Sequence, residues 1–164
     1  MNKEIHITVA STDDDLISIL KLQQQNLPHN ISKEEATEQG FVTVEHSFDV
    51  LKRMNDVHLH VIAKHDGKVV GYALVMTKEF RNDIPVLISM FEMIDQLIYE
   101  NEPLSVQNYF VMGQVCIAKD FRGLGIFDLL YNKLKEQLLL HFSFALLKLP
   151  RAIFDPSKHM SALD

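Results

Sequence analysis

The run Tyr109-Phe110-Val111-Met112-Gly113-Gln114-Val115-Cys116-Ile117, followed by Ala118-Lys119-Asp120-Phe121 and then Arg122-Gly123-Leu124-Gly125-Ile126-Phe127, decides how this chain is read. Valine, isoleucine, tyrosine and phenylalanine up to Ile117 fit a buried strand, whereas Phe127, Leu130, Tyr131, Leu134 and Leu138 recur at helical spacing. The spacing therefore predicts strand, glycine loop, helix. Glycines at the start of a helix leave backbone N–H groups uncovered, and these donors, with the positive end of the helix dipole, suit a phosphate. Arg122 adds a permanent positive charge beside them.

Spacing separates the phosphate-binding alternatives. A P-loop closes with Gly-Lys-Ser/Thr, but Ile126-Phe127-Asp128 follows Gly125 and Asp128 repels a phosphate. A dinucleotide fingerprint wants a third glycine three residues after the second, where Asp128 stands. What remains, Arg-Gly-x-Gly-Ile after a strand ending Val-Cys-Ile, resembles the acetyl-CoA loop of the GNAT superfamily of N-acetyltransferases. The superfamily's Arg/Gln-x-x-Gly-x-Gly/Ala is matched by Arg122 and Gly125, with Phe127 in place of the final small residue.

A second stretch carries the same resemblance. Leu59-His60-Val61-Ile62-Ala63 and Val69-Val70-Gly71-Tyr72-Ala73-Leu74 flank Asp66-Gly67, a pair that tolerates positive φ and matches strand twist, which predicts a hairpin. Gly67 to Ala73 looks like the third strand of GNAT proteins, upstream of the loop in the expected order. The resemblance implies an α/β fold with a mixed, mostly antiparallel central sheet flanked by helices, its C-terminal part incomplete.

Elsewhere the pattern is local. Ile5 to Val9 alternates as a strand, and Ser11 or Thr12 caps a helix with Asp13, Asp14 and Asp15 in its first turn and Leu16, Ile19, Leu20 and Leu22-Gln23 inward. Ser32 with Glu35 predicts a second helix start, and Ser47 to Met54 a third helix with Phe48, Leu51 and Met54 inward. Pro85 to Tyr99 reads as a helix apolar over much of its circumference, packed on the body or on a second subunit, and closed by Glu100, Glu102 and Pro103. Glu92, Asp95, Glu100 and Glu102 there either attract an amine or form a solvated acidic helix end.

Residues 1–144 are expected as one acetyltransferase-like domain and residues 145–164 as an atypical tail. The tail lacks helical or strand periodicity from Leu149 to Met160. Back-translated with a permitted choice of codons and read in a shifted frame from Ala145, it can read as a strand, Arg-Asn and a helix, resembling the GNAT continuation. A frameshifted end is the expectation, and a genomic reading frame encoding Lys148 to Asp164 in register would end it.

Composition bounds function. The 164 residues are 47% hydrophobic and 23% charged, suiting one globular domain. A formal charge of −6 argues against a duplex nucleic-acid binder. No long apolar run or leader-like start appears, so no membrane partner and a cytoplasmic location are expected. Cys116, the one cysteine, reads as a small core residue rather than an acetylated nucleophile. His58 and His60, two apart, would share a strand face, but no third ligand is spaced to join them, so no metal is expected.

The resemblance implies acetyl-CoA as co-substrate and a small-molecule or peptide amine as acceptor. It implies the pyrophosphate at Arg122, Gly123, Leu124, Gly125, Ile126 and Phe127, and the pantetheine arm aligned along Val115, Cys116 and Ile117. No catalytic base or acid is assigned: Gln114 stands where some relatives carry an acid, and a glutamine cannot take a proton. The alternative reading is a non-catalytic acyl-CoA-binding or truncated domain that dimerises through its insertion helix.

Overall fold

The computed structural model describes residues 4–34, 44–138, 141–142 and 144–146. Strand β1 (His6–Val9) leads into helix α1 (Asp13–Gln25), whose start is fixed by the Thr12 side chain accepting the Asp15 amide at 3.1 Å. Helix α2 (Phe48–Val57) is capped likewise by Ser47. Strands β2 (Val61–His65) and β3 (Lys68–Thr77) form the predicted hairpin, with Asp66 at φ 48° and Gly67 at φ 75° in the turn. A 3-10 turn at Pro85–Leu87 precedes helix α3 (Ile88–Gln96), and a two-residue ladder pairs β4 (Ile98–Tyr99) with β5 (Glu102–Pro103). Strand β6 (Tyr109–Ile117), helix α4 (Ile126–Leu138) and strand β7 (Phe144–Leu146) follow.

The main sheet runs β1-β2-β3-β6-β7, antiparallel except for the β6–β7 pair, which is parallel. This is the mixed, mostly antiparallel sheet that the resemblance implies. Helix α1 covers one face, where Leu16, Ile19 and Leu22 join Leu51, Tyr72, Leu74 and Cys116. Helix α4 covers the other, where Ile126, Leu130, Leu134 and Leu138 meet Val70, Ala73, Val75 and Phe110. Helix α4 packs directly over Gly71, where a Cβ would lie in ordinary van der Waals contact, 3.5 Å from side-chain atoms of both Ile126 and Leu130.

Four expectations are corrected. Phe48 is exposed, since it opens α2 on the solvent side, while Leu51 and Met54 are buried. The inward stripe of α4 starts at Ile126, leaving Phe127 48% exposed. The insertion helix stops at Gln96 because Glu100 (φ 50°) and Asn101 (φ 66°) turn the chain back as a tight hairpin. Its Met90, Phe91 and Ile94 pack on the body with Tyr109 and Val111. His58 and His60 precede β2 and do not share a strand face: His58 lies edge-on to Phe142, whereas His60 is fully buried. The second helix start at Ser32 and Glu35 runs into residues outside those described, as does the tail from 147 onward.

Candidate functional site

Strand β6 changes character along its length. Tyr109, Phe110, Val111 and Met112 are buried, then Gly113 is exposed and Gln114, Val115 and Ile117 are half-buried. The described pairing with β7 covers Tyr109 to Val111. On its other side β6 pairs with β3, but from Ala73↔Val115 to Val75↔Met112 β3 advances two residues and β6 three. One extra residue, at Gly113–Gln114, therefore makes a bulge, which turns side chains and increases twist where it occurs.

Downstream, Ala118 anchors the strand end by donating to the Val70 carbonyl at 2.8 Å, and a 3-10 turn at Lys119–Phe121 delivers Arg122 to the loop. Gly123 and Gly125 both stand at φ 74°, and a Cβ on either would meet nothing within 4 Å. The loop is thus open at both glycines. The first amides of α4, from Ile126 onward, lack partners within the helix, as at any helix start. Leu124 and Phe127 are about half exposed beside it, while the Ile126 and Cys116 side chains are buried in the core.

Arg122 is more than a charge beside the loop. Its Nε donates to the Ile117 carbonyl at 3.1 Å and its Nη2 to Asn26 Oδ1 at 2.7 Å, tying the loop to the end of α1. Asn26 is itself buried, donates to the Leu22 carbonyl at 2.8 Å, and caps α1 with its backbone N–H.

A polar network occupies the bulge. Gln114 accepts from Gln23 Nε2 at 2.8 Å and from the Tyr72 hydroxyl at 2.6 Å, and donates to the Val44 carbonyl at 2.9 Å. Gln23 also contacts His46 twice, accepting from its backbone N–H at 2.8 Å and lying 2.8 Å from its Nδ1. Burial lowers the His46 pKa to about 4 and raises that of Tyr72 well above its ordinary value. Burial likewise pushes the Cys116 thiol up to about 11, against the pull of Arg122, which keeps it an inert core group. Every group in the network is neutral near pH 7.

The structure puts Val115 to Ile117 at the end of β6 and Arg122 to Phe127 in the turn that follows and the first residues of α4. Sequence reasoning overlooked Gln23, Asn26, His46 and Tyr72. A polar Gln23 on the inward side of α1 was the available signal, because a glutamine among Leu16, Ile19 and Leu22 needs buried partners. Asp95, considered as an amine attractant, is committed to Arg81 in a two-pronged pair (2.5 and 3.1 Å). Among the described residues, no group of three or more His, Cys, Asp or Glu side chains is placed to hold a metal ion. Nor is any helix among them long and apolar enough to cross a membrane.

Fold and loop together define an α/β protein with a glycine turn between a bulged central strand and a helix. The family model for the acetyltransferase (GNAT) family matches residues 16–149. The chain belongs to the GNAT acetyltransferase family. Among solved structures it is similar to a GNAT family acetyltransferase from Brucella melitensis in complex with acetyl-CoA, at 14% identity and a TM-score of 0.51, covering 93% of this chain and 82% of that one. It is also similar to a putative acetyltransferase from Acinetobacter baylyi, at 17% identity and a TM-score of 0.51, covering 87% and 67%. The ribosomal-protein-S18-alanine N-acetyltransferase from Escherichia coli aligns at 13% identity and a TM-score of 0.46, and this chain spans 59% of its length. No curated protein matches the sequence.

Proposed function

We propose that the chain is an N-acetyltransferase that moves an acetyl group from acetyl-CoA to an amine by direct attack while both are bound. The observation that carries this reading is the half-buried stretch of β6, bulged at Gly113–Gln114, leading through a short 3-10 turn to a glycine loop at the start of α4. Acetyl-CoA supplies an acetyl group activated as a thioester. The residues that would hold it are the backbone of Val115 to Ile117, as a strand-like partner, and the amides of Gly123 to Phe127 around the diphosphate. Both glycines have room where a side chain would otherwise stand. Arg122 shapes this cradle from below through Ile117 and Asn26 while contributing its charge.

At the bulge, backbone N–H groups turned out of the ladder are suited to stabilise negative charge developing on the thioester oxygen. An alkylammonium acceptor, with a pKa of roughly 10, must lose a proton before it attacks. Gln114, Tyr72 and His46 hold the site's shape without taking that proton, so solvent carries it away. The acceptor is a small-molecule or peptide amine, and residues 1–144 form the working domain.

The second reading, acyl-CoA binding without transfer, has the glutamine at the bulge in its favour. Two measurements separate the readings. Calorimetry with coenzyme A should give saturable binding, weakened at least about ten-fold by Arg122→Ala, as expected for loss of a charge-assisted contact. Thiol release from acetyl-CoA, with spermidine, lysine and an alanine-terminated peptide as acceptors, should exceed the rate without amine. Binding without release selects the second reading, and no binding defeats both.

A further inference from the structure

We propose that Gln23 is a positioning residue for acetyl transfer, one whose carboxamide fixes both the Gln114 side chain on the bulge of β6 and the tautomer of His46. The inference rests on the transferase reading above.

The hydrogen-bond directions follow from two groups whose character admits no choice. The His46 backbone N–H can only donate, and it reaches Gln23 at 2.8 Å, so the atom it meets is the amide oxygen. The other end of the amide is therefore the NH2 group, which faces both Gln114 and the His46 ring at 2.8 Å. The Val44 carbonyl can only accept, so the Gln114 atom 2.9 Å away is nitrogen and the one facing Gln23 is oxygen. Two protons of Gln23 thus serve two acceptors, Gln114 Oε1 and His46 Nδ1. The His46 ring must carry its proton on Nε2, and the Tyr72 hydroxyl, 2.6 Å from Gln114 Oε1, must donate.

Gln23 is fully buried, and the four segments it unites are far apart in sequence: α1, the stretch Val44–His46, β3 and β6. Such a directional network specifies one arrangement where an apolar plug of equal volume would allow several. It converges on Gln114, the side chain at the extra residue of β6. Displacing a reacting group by about 1 Å can cost on the order of a hundred-fold in rate, so a residue that locks the bulge acts on transfer without touching substrate.

The test compares wild type with Gln23→Glu and Gln23→Met. Histidine ring nitrogen resonances of the 15N-labelled protein should place the His46 proton on Nε2 in wild type. Gln23→Glu, which turns a donor into an acceptor, should move a proton to Nδ1. Thiol release from acetyl-CoA with the three amines named above should fall at least about ten-fold in kcat in both variants, with coenzyme A affinity by calorimetry within about two-fold. A wild-type proton on Nδ1, or variants that keep kcat while the ring signal shifts, would overturn the proposal. Gln23→Met guards against an effect due to buried charge alone. Absence of thiol release by wild type would defeat the transferase reading, and with it the catalytic role, while the ring resonances still judge the hydrogen-bond assignment.

Discussion

His60 illustrates how one side chain joins several parts of this fold. Its Nδ1 accepts from the Val75 amide at 3.1 Å, and Nε2–H donates to the Leu51 carbonyl at 3.3 Å, which fixes a neutral ring. Its own amide donates to Asn55, which reaches the Ala10 carbonyl, so β1, α2, β2 and β3 meet there. Burial lowers the His60 pKa to about 3, against roughly 6.5 when unfolded. Between those values the unfolded chain binds a proton that the folded protein refuses, so this stabilisation is complete above about pH 6.5 and is lost as pH falls. His46 adds the same trend between about 4 and 6.5. Urea unfolding should show a loss of about 2 kcal/mol from His60 alone between pH 7.5 and 5.0. His60→Gln should flatten the dependence, and an unchanged slope would refute this account.

At the scale of elements, the parts dictated by neighbouring residues were legible and the parts dictated from a distance were not. Asp66-Gly67 announced the β2–β3 hairpin because its conformation is a local property, and Thr12 and Ser47 announced helix starts for the same reason. The β4–β5 hairpin was missed because Glu100 and Asn101 adopt positive φ without a glycine to signal it. The start of the inward stripe of α4 was misjudged by one residue, since Ile126 and Phe127 are both apolar and only packing against the sheet selects Ile126. The loop could be read; the network on Gln114 could not, because its partners lie 91 and 70 residues away in Gln23 and Val44. The closeness of α4 to β3 makes its own prediction. Gly71→Val should push the start of α4 off the sheet, costing about 1–3 kcal/mol as an overpacked site does. Coenzyme A binding, measured by calorimetry, should weaken more than for a substitution of equal destabilisation in α2.

For the whole molecule, the division of labour across the sheet sets the expected pH response. Helix α1 brings neutral polar groups to the bulge and α4 brings amides to the loop. His46 at about 4, Cys116 at about 11 and Tyr72 shifted upward all ionise outside the range from pH 6 to 9. The dependence of kcat/KM for an alkylamine should therefore rise about ten-fold per pH unit across that range, following deprotonation of the acceptor alone. An inflection near neutrality that persists with acceptors of different basicity would place a titrating base in the site and refute the solvent route.

The single sulfhydryl carries a practical corollary. Cys116 is 7% exposed, seated between Tyr72 and the helix that covers it. An alkylating reagent reaches that sulfur only when the sheet and α1 part, so the speed of labelling reports how often they do. Slower labelling with coenzyme A present would measure, without any probe being added to the protein, how far an occupied cleft clamps its own walls.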